Sequence, residues 1–388
     1  ARQGATGFQI GLLTAGPGVV SLFYSMPAGR RLRNKDVVFE TFRTSFWHRL
    51  GYMAFVLVPW LVPYDWHTWS LVVITLLMSI PGTVLAIGFN AAFAELVPPE
   101  LRARVVGRRN ALLAVSTTLT SLACGQVLDR VLFPLNYQFV FALGAVGAML
   151  STFHLGRLSR YKYPPARTGK LLMDLARPGL VRLVDSLRHP VGLRFLAHNH
   201  REESSRLNIL RGSFGRLMLT YLVFYSFQFL PIPLFPLFFV NDLALSDGLI
   251  SLGSALFYSS MFLSSLITAR MTMRYSHRGM LILGGLLYGT YPLFNGLASG
   301  VGLYLFAAFT GGIVWSIVNS GLVNYLMERV PEDDRPAHMA VHNIVLNTGM
   351  LIGALGGPLL VGAFGLRQVI LGSGILRTIS GIVFWLLA

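Results

Sequence analysis

Apolar stretches of membrane-crossing length recur along the whole chain, and this repetition constrains the fold more than any other feature. A helix of about 20 apolar residues spans the hydrocarbon core of a bilayer. Such runs are found at 8–27, 41–63, 69–94, 106–130 and 137–157, then at 216–241, 249–272, 279–298, 302–327, 338–363 and 366–388. Inside lipid every backbone polar group must be satisfied within the protein, so only helices and closed barrels cross. Barrel strands alternate apolar and polar residues over segments of about 10, and nothing here does so. Hydrophobic residues make up 54% of the chain and charged residues 12%, with mean hydropathy +0.60. A soluble domain carries about 25% charged residues. The expectation is an all-α polytopic membrane protein.

The formal net charge of +16 is unevenly placed. Basic groups cluster in alternate connections: "GRRLRNK" (29–35), "RARVVGRR" (102–109), the segment 158–215, "RMTMRYSHR" (270–278) and "ERVPEDDRPAH" (328–338). The connections between them are short and nearly free of Lys and Arg, as in "PYDWHT" (63–68) and "ASGVG" (298–302). By the positive-inside rule the clusters are cytoplasmic, in a multi-pass protein of the cell (inner) membrane. The charge is thus a topology signal and calls for no nucleic-acid partner. A single cysteine, Cys124, excludes an internal disulfide and any multi-cysteine metal site, and reads as a small packing residue. No phosphate-binding glycine loop and no nucleophile constellation is present, so neither an enzyme nor an ATP-driven machine is expected, and no cofactor.

Two polar hinges repeat. "ELVPPELRAR" (95–104) and "ERVPEDDRPA" (328–337) align at an offset of 233, pairing Glu95 with Glu328, Val97 with Val330, Pro98 with Pro331 and Arg102 with Arg335. Asn110 and Asn343 extend the match. If each half holds six helices, each hinge joins the fourth to the fifth. The second half shows six apolar runs and the first five, so the chain is expected to begin at the second helix of its fold, with the first absent. The organisation read from this is an N-terminal bundle over 1–157, a cytoplasmic amphipathic linker over 158–215 and a C-terminal six-helix bundle over 216–388. In the linker, Leu171, Leu172, Leu175, Leu180, Leu183 and Leu187 alternate with Arg177, Arg182 and Arg188, a pattern suited to the anionic inner leaflet.

Several local patterns resemble the major facilitator superfamily. "ELVPPELRARVVG" (95–107) is similar to that family's loop between its fourth and fifth helices, and "PAGRRL" (27–32) to the end of its glycine–arginine motif. Gly29, Arg30 and Arg31 are kept, while Leu22 and Met26 stand where the family has Gly and Asp. In the second copy, "TMRYSHR" (272–278), Met273 takes the Asp place and Ser276 the Gly place. The resemblance implies two pseudo-symmetric six-helix bundles that move a small solute by alternating access around a midplane cavity, driven by a coupling ion or by the solute's own gradient. It places Gly29, Arg30, Arg31, Glu95, Arg102, Glu328 and Arg335 at a cytoplasmic gate. It also makes 69–94, 216–241 and 302–327 cavity helices, so that Asn90, Tyr221, Tyr225, Gln228, Trp315 and Asn319 become candidates for contacting the solute. Tyr and Trp also serve as interface anchors, and Asn and Gln as bonds between helices, so both roles stay open. No carboxylate lies near the middle of a span, so His342 is a candidate for proton coupling, beside a plain role as a polar residue bonded to a neighbouring helix or a coupling group on the helix expected to be absent. The alternative function is an accessory subunit or assembly factor of a larger membrane complex, whose partners would be other membrane proteins.

Overall fold

Each apolar run folds as helix. The computed structural model describes residues 2, 4–33, 35–97, 99–159, 212–330 and 335–387. The first bundle holds α1 (Gly7–Arg33), α2 (Val37–Leu61), α3 (His67–Leu96), α4 (Pro99–Arg130) and α5 (Leu135–Ser159). The second holds α6 (Ser213–Phe229), α7 (Phe235–Leu237), α8 (Asp247–Leu287), α9 (Thr290–Leu297), α10 (Val301–Arg329), α11 (Arg335–Phe364) and α12 (Leu366–Leu387). Nine helices among the described residues are long and apolar enough to cross a membrane. The expected linker falls almost wholly on 160–211, outside the described residues.

The expectation of eleven helices with the first one absent is overturned in the count. Twelve α-helical segments stand among the described residues, and the first, α1, carries the apolar stretch Gly7–Ser25, itself long enough to cross a membrane. The physical reason is that apolar runs and helices do not correspond one to one. Pro231, Pro233 and Pro236 lack the N–H that a helix needs, so the run 216–241 yields α6, the three-residue α7 and a five-residue π-helix, Phe238–Asp242. The runs 249–272 and 279–298, by contrast, join into α8 and break again after Leu287.

Within α8 the chain reverses at Ser276, whose φ of 61° and ψ of 166° are not helical. The contacts of α10 show the reversal. Tyr304 donates to Ile250 O at 3.2 Å, and Ser316 Oγ lies 3.2 Å from Thr268 Oγ1, so the first arm of α8 runs with α10. Gly321 faces Leu281 and Gly284 faces Val318, so the second arm runs against it.

Close helix packing explains the rest of the second bundle. Gly349, Gly353 and Gly357 recur every fourth residue on α11, and a Cβ on any of them would run into Tyr225, Ser226 or Leu230. Such small residues let helix backbones approach without a side chain between them, and here α6 lies in the groove. In the first bundle a polar seam joins α2 to α5. Arg49 donates to Ala148 O at 2.7 Å, to Thr152 Oγ1 at 2.6 Å and to Ser151 Oγ at 3.1 Å.

The bundles meet along two helix pairs, α1 with α11 and α4 with the first arm of α8. The 233-residue offset of the hinges carries α4 onto α11 and α1 onto that first arm, so it exchanges the two interfaces. This is the mark of a pseudo-two-fold relation between bundles.

Candidate functional site

The candidates on α6 share one face, since 221, 225 and 228 follow helical spacing. That face turns into the second bundle. Tyr221 is fully enclosed and donates to Leu322 O at 2.8 Å, while Tyr225 lies with its hydroxyl 2.9 Å from His342 Nε2. The imidazole also meets the edge of Tyr221, at 5.4 Å between ring centroids. His342 itself is half-buried on α11. Gln228 is buried, and its Oε1 has no hydrogen-bond partner. Trp315 and Asn319 lie one turn apart on α10, the indole half-buried and stacked on Tyr288 at 5.5 Å, the amide exposed. Asn90, on α3 of the other bundle, is exposed. The structure thus joins Tyr221, Tyr225 and His342 in one cluster, and leaves Asn90 and Asn319 open on separate bundles.

Two cations within the spans, one buried and one half-buried, escape a reading that looks for carboxylates and imidazoles there. Arg377, in the middle of α12, is 2% exposed. It donates from Nε to Phe227 O at 3.4 Å and from a terminal nitrogen to Gln228 O, and its guanidinium lies 4.5 Å from the centroid of the Tyr288 ring. Arg49 is the second, held by the α5 seam. The signal was present in both cases, because an arginine inside an apolar run is rare and almost always has a partner within the protein.

The two ends of the molecule differ. At the basic end Arg31 pairs with Glu40 inside the first bundle (Nε–Oε2 3.3 Å), and Lys35 joins the same carboxylate at 3.3 Å. Glu328 meets His277 at 3.6 Å inside the second bundle. The side chains of Gly29, Arg30, Glu95, Arg102 and Arg335 lie outside the described residues. At the opposite end the bundles are bonded to each other. Asp129, at the close of α4, accepts from Gly248 N at 2.7 Å and from Ser246 Oγ at 3.0 Å, at the start of α8. Arg2 donates to Leu245 O at 2.7 Å and lies 3.3 Å from Asp247 Oδ1. Since the end of α4 meets the start of α8, and the first arm of α8 runs with α10, the ends of α3 at Leu96 and of α10 at Arg329 lie toward the opposite end. Nearer the middle, Thr118 Oγ1 lies 3.2 Å from Ser259 Oγ across the interface.

Three cavities are described, and the solute candidates line none of these three. One of about 200 Å³ includes Arg2, Phe55, Tyr137 and Gln138, and one of about 520 Å³ lies among α1, α2 and α3. The third, of about 230 Å³, lies between Gly7, Leu237 and Pro358.

Comparison with known proteins bears on this geometry. The family model described as Major Facilitator Superfamily matches residues 217–388. A 137-residue stretch is 26% identical to Multidrug resistance protein 2 of Bacillus subtilis (strain 168), covering 35% of this chain. The match spans only 34% of that relative's length. Among solved structures, a D-xylose-proton symporter superposes with a TM-score of 0.72 at 12% identity, over 100% of this chain and 90% of its own. The xylose transporter of E. coli in its inward-open conformation gives 0.69 at 13% identity, over 100% and 87%. A POT family transporter in complex with 5-aminolevulinic acid gives 0.69 at 13% identity, over 99% and 88%. At such identities the likeness establishes the fold.

Proposed function

We propose, from a fold that is that of the major facilitator superfamily, that this chain is a secondary transporter moving a small solute by alternating access of its two bundles. Transport rather than catalysis is what such a fold serves. One observation carries the reading: the bundles are bonded across their interface at the end poor in Lys and Arg, while at the basic end the described ion pairs stay within a bundle. With basic loops in the cytoplasm, this arrangement is closed outside and free to part inside.

In this reading Asn90, Trp315 and Asn319 face the solute from the two bundles, and Tyr225 and His342 stand behind them. In the tautomer whose Nε2 accepts from the Tyr225 hydroxyl, a proton taken up by His342 makes Nε2 a donor and reverses that bond. That reversal couples protonation to the packing of α6 on α11. The aromatic cluster of Tyr221, Phe224, Tyr288 and Phe384 belongs to the core of the second bundle, so it does not plug the space between bundles and lends the accessory-subunit reading no support.

The test is uptake into proteoliposomes under an imposed proton gradient. Xylose, nucleosides, peptides and a set of drugs form the panel, since the similar proteins are named for such solutes. The expected result is gradient-driven uptake of at least one class, with His342→Gln retaining exchange but losing accumulation. Absence of flux across the panel, with the protein folded in the vesicles, overturns the proposal.

A further inference from the structure

The break in α6 leaves two consecutive carbonyls without their helical donors. Pro231 has no N–H to give Phe227 O, four residues back. Ile232 N bonds Phe229 O at 3.3 Å instead of Gln228 O, so that acceptor is orphaned as well. Leu234 N and Phe235 N both turn to Pro231 O, each at 3.0 Å, and start a new turn. In hydrocarbon no water satisfies the two groups, and the helix dipole adds negative potential at this C-terminal end.

Arg377 supplies both missing donors, Nε to Phe227 O at 3.4 Å and a terminal nitrogen to Gln228 O. Its planar fork suits two neighbouring acceptors, and the face of Tyr288 covers the guanidinium. A buried cation normally needs an anionic partner. No carboxylate contact to Arg377 is found among the described residues, so carbonyl dipoles and a ring face take that role.

We propose that Arg377 is the positioning residue that fixes the break in α6 and so seats the segment 230–242 against the first bundle. This segment adds to the contact that α11 makes with the start of α1, where a Cβ on Gly7 would lie 3.1 Å from Pro358 Cβ. A Cβ on Gly7 would lie 3.6 Å from Leu237 Cδ1, and Leu234 and Leu237 line the small cavity beside Gly7. The last helix therefore holds the turn of α6 by charge at Arg377 as well as by apolar packing, since Val369 and Ile370 share a buried cluster with Leu230, Leu234 and Phe235. The inference stands on the fold alone and does not depend on transport.

The test is a rescue. Arg377→Met removes both donors, whereas Pro231→Ala returns an N–H to Phe227 O. Unfolding temperature in detergent is one readout. The other is the distance between spin labels at Phe8 and Asp242, both exposed, on a Cys124→Ala background. Arg377→Met is expected to lower the unfolding temperature and broaden the distance distribution. Adding Pro231→Ala is expected to recover at least half of the lost temperature and to narrow the distribution. Arg377→Lys keeps the charge without the fork and is expected to stay impaired. A double variant no better than Arg377→Met overturns the proposal, including the case where neither folds. So does an Arg377→Met protein that behaves like the parent, or an Arg377→Lys protein that does.

Discussion

Three cations converge on one buried carboxylate at the basic end of the first bundle. Glu40 is 3% exposed, in the first turn of α2, with Arg31 and Lys35 at 3.3 Å and Arg43 at 3.6 Å. Burial pushes its carboxyl pKa up, but hydrogen bonds and charge from Lys35 and Arg31 outweigh burial and hold it below the ordinary value of 4.5. A carboxylate whose folded pKa is depressed adds stability above its unfolded pKa and loses it as pH falls through the folded one. Unfolding temperature in detergent should therefore fall on acidification below about pH 4.5, and Glu40→Gln should flatten that fall. At neutral pH the same substitution should cost about 1 kcal/mol, since all three cations are partly solvated. A pH profile identical in both proteins would contradict this. The resemblance made Arg31 a cytoplasmic-gate candidate, and its described partner lies nine residues on, in its own bundle. That pairing depends on the tight turn between α1 and α2, where Asp36 caps α2 by accepting from Phe39 N at 3.0 Å, and no motif announces such a turn.

At the scale of elements, α8 turns on a residue poorly suited to the task. Ser276 has φ +61°, a conformation natural to glycine, and it stands where the superfamily motif places Gly. Such a backbone costs an L-residue about 1–3 kcal/mol. Its Oγ accepts from Gly279 N at 3.3 Å, which returns about 0.5–1.5 kcal/mol. Ser276→Gly should therefore stabilise the protein by about 1 kcal/mol, read as a higher unfolding temperature, and a lower one would show that the hydroxyl contact outweighs the strain. Much at this scale was legible, because apolar length and proline act locally. The runs 41–63, 69–94 and 302–327 are Val37–Leu61, His67–Leu96 and Val301–Arg329, and the prolines after Gln228 do end α6. Helix ends were less legible, since a helix continues past the bilayer surface for as long as its hydrogen bonds do. Nor did the sequence reveal that Arg377 mends the break, a contact that joins residues 150 positions apart.

For the molecule as a whole the question is what holds one end shut. Repeat and charge placement made the two-bundle plan readable, because both act through periodicity. Which residues bridge the bundles was not readable, because Asp129 and Gly248 are apolar-run ends with no distinguishing pattern. Asp129 reaches across the interface to the first N–H groups of α8, where the helix dipole favours an anion. A Cβ on Gly248 would collide with that carboxylate, so the contact can be broken from either bundle. Asp129→Ala deletes the acceptor, Gly248→Ala displaces it, and Asp129→Asn keeps an oxygen for Gly248 N. Hydrogen bonds to a charged group contribute about 1.5–3 kcal/mol when buried, and an exposed site such as this reduces that to about 1–2 kcal/mol. The ratio of closed to open molecules should then fall about 5- to 30-fold in Asp129→Ala and Gly248→Ala, and much less in Asp129→Asn. Spin labels at Leu132 and Asp242, exposed on opposite sides of the contact, would report this as a new population at longer distance. If both disruptive variants keep the parental distance, closure rests on the glycine-lined approach of α1 to α11 instead, where Gly11 lies against Ala354, and the carboxylate is dispensable. Agreement between the two disruptive variants, one on each bundle, with the asparagine variant spared, would tie closure to this single cross-bundle contact.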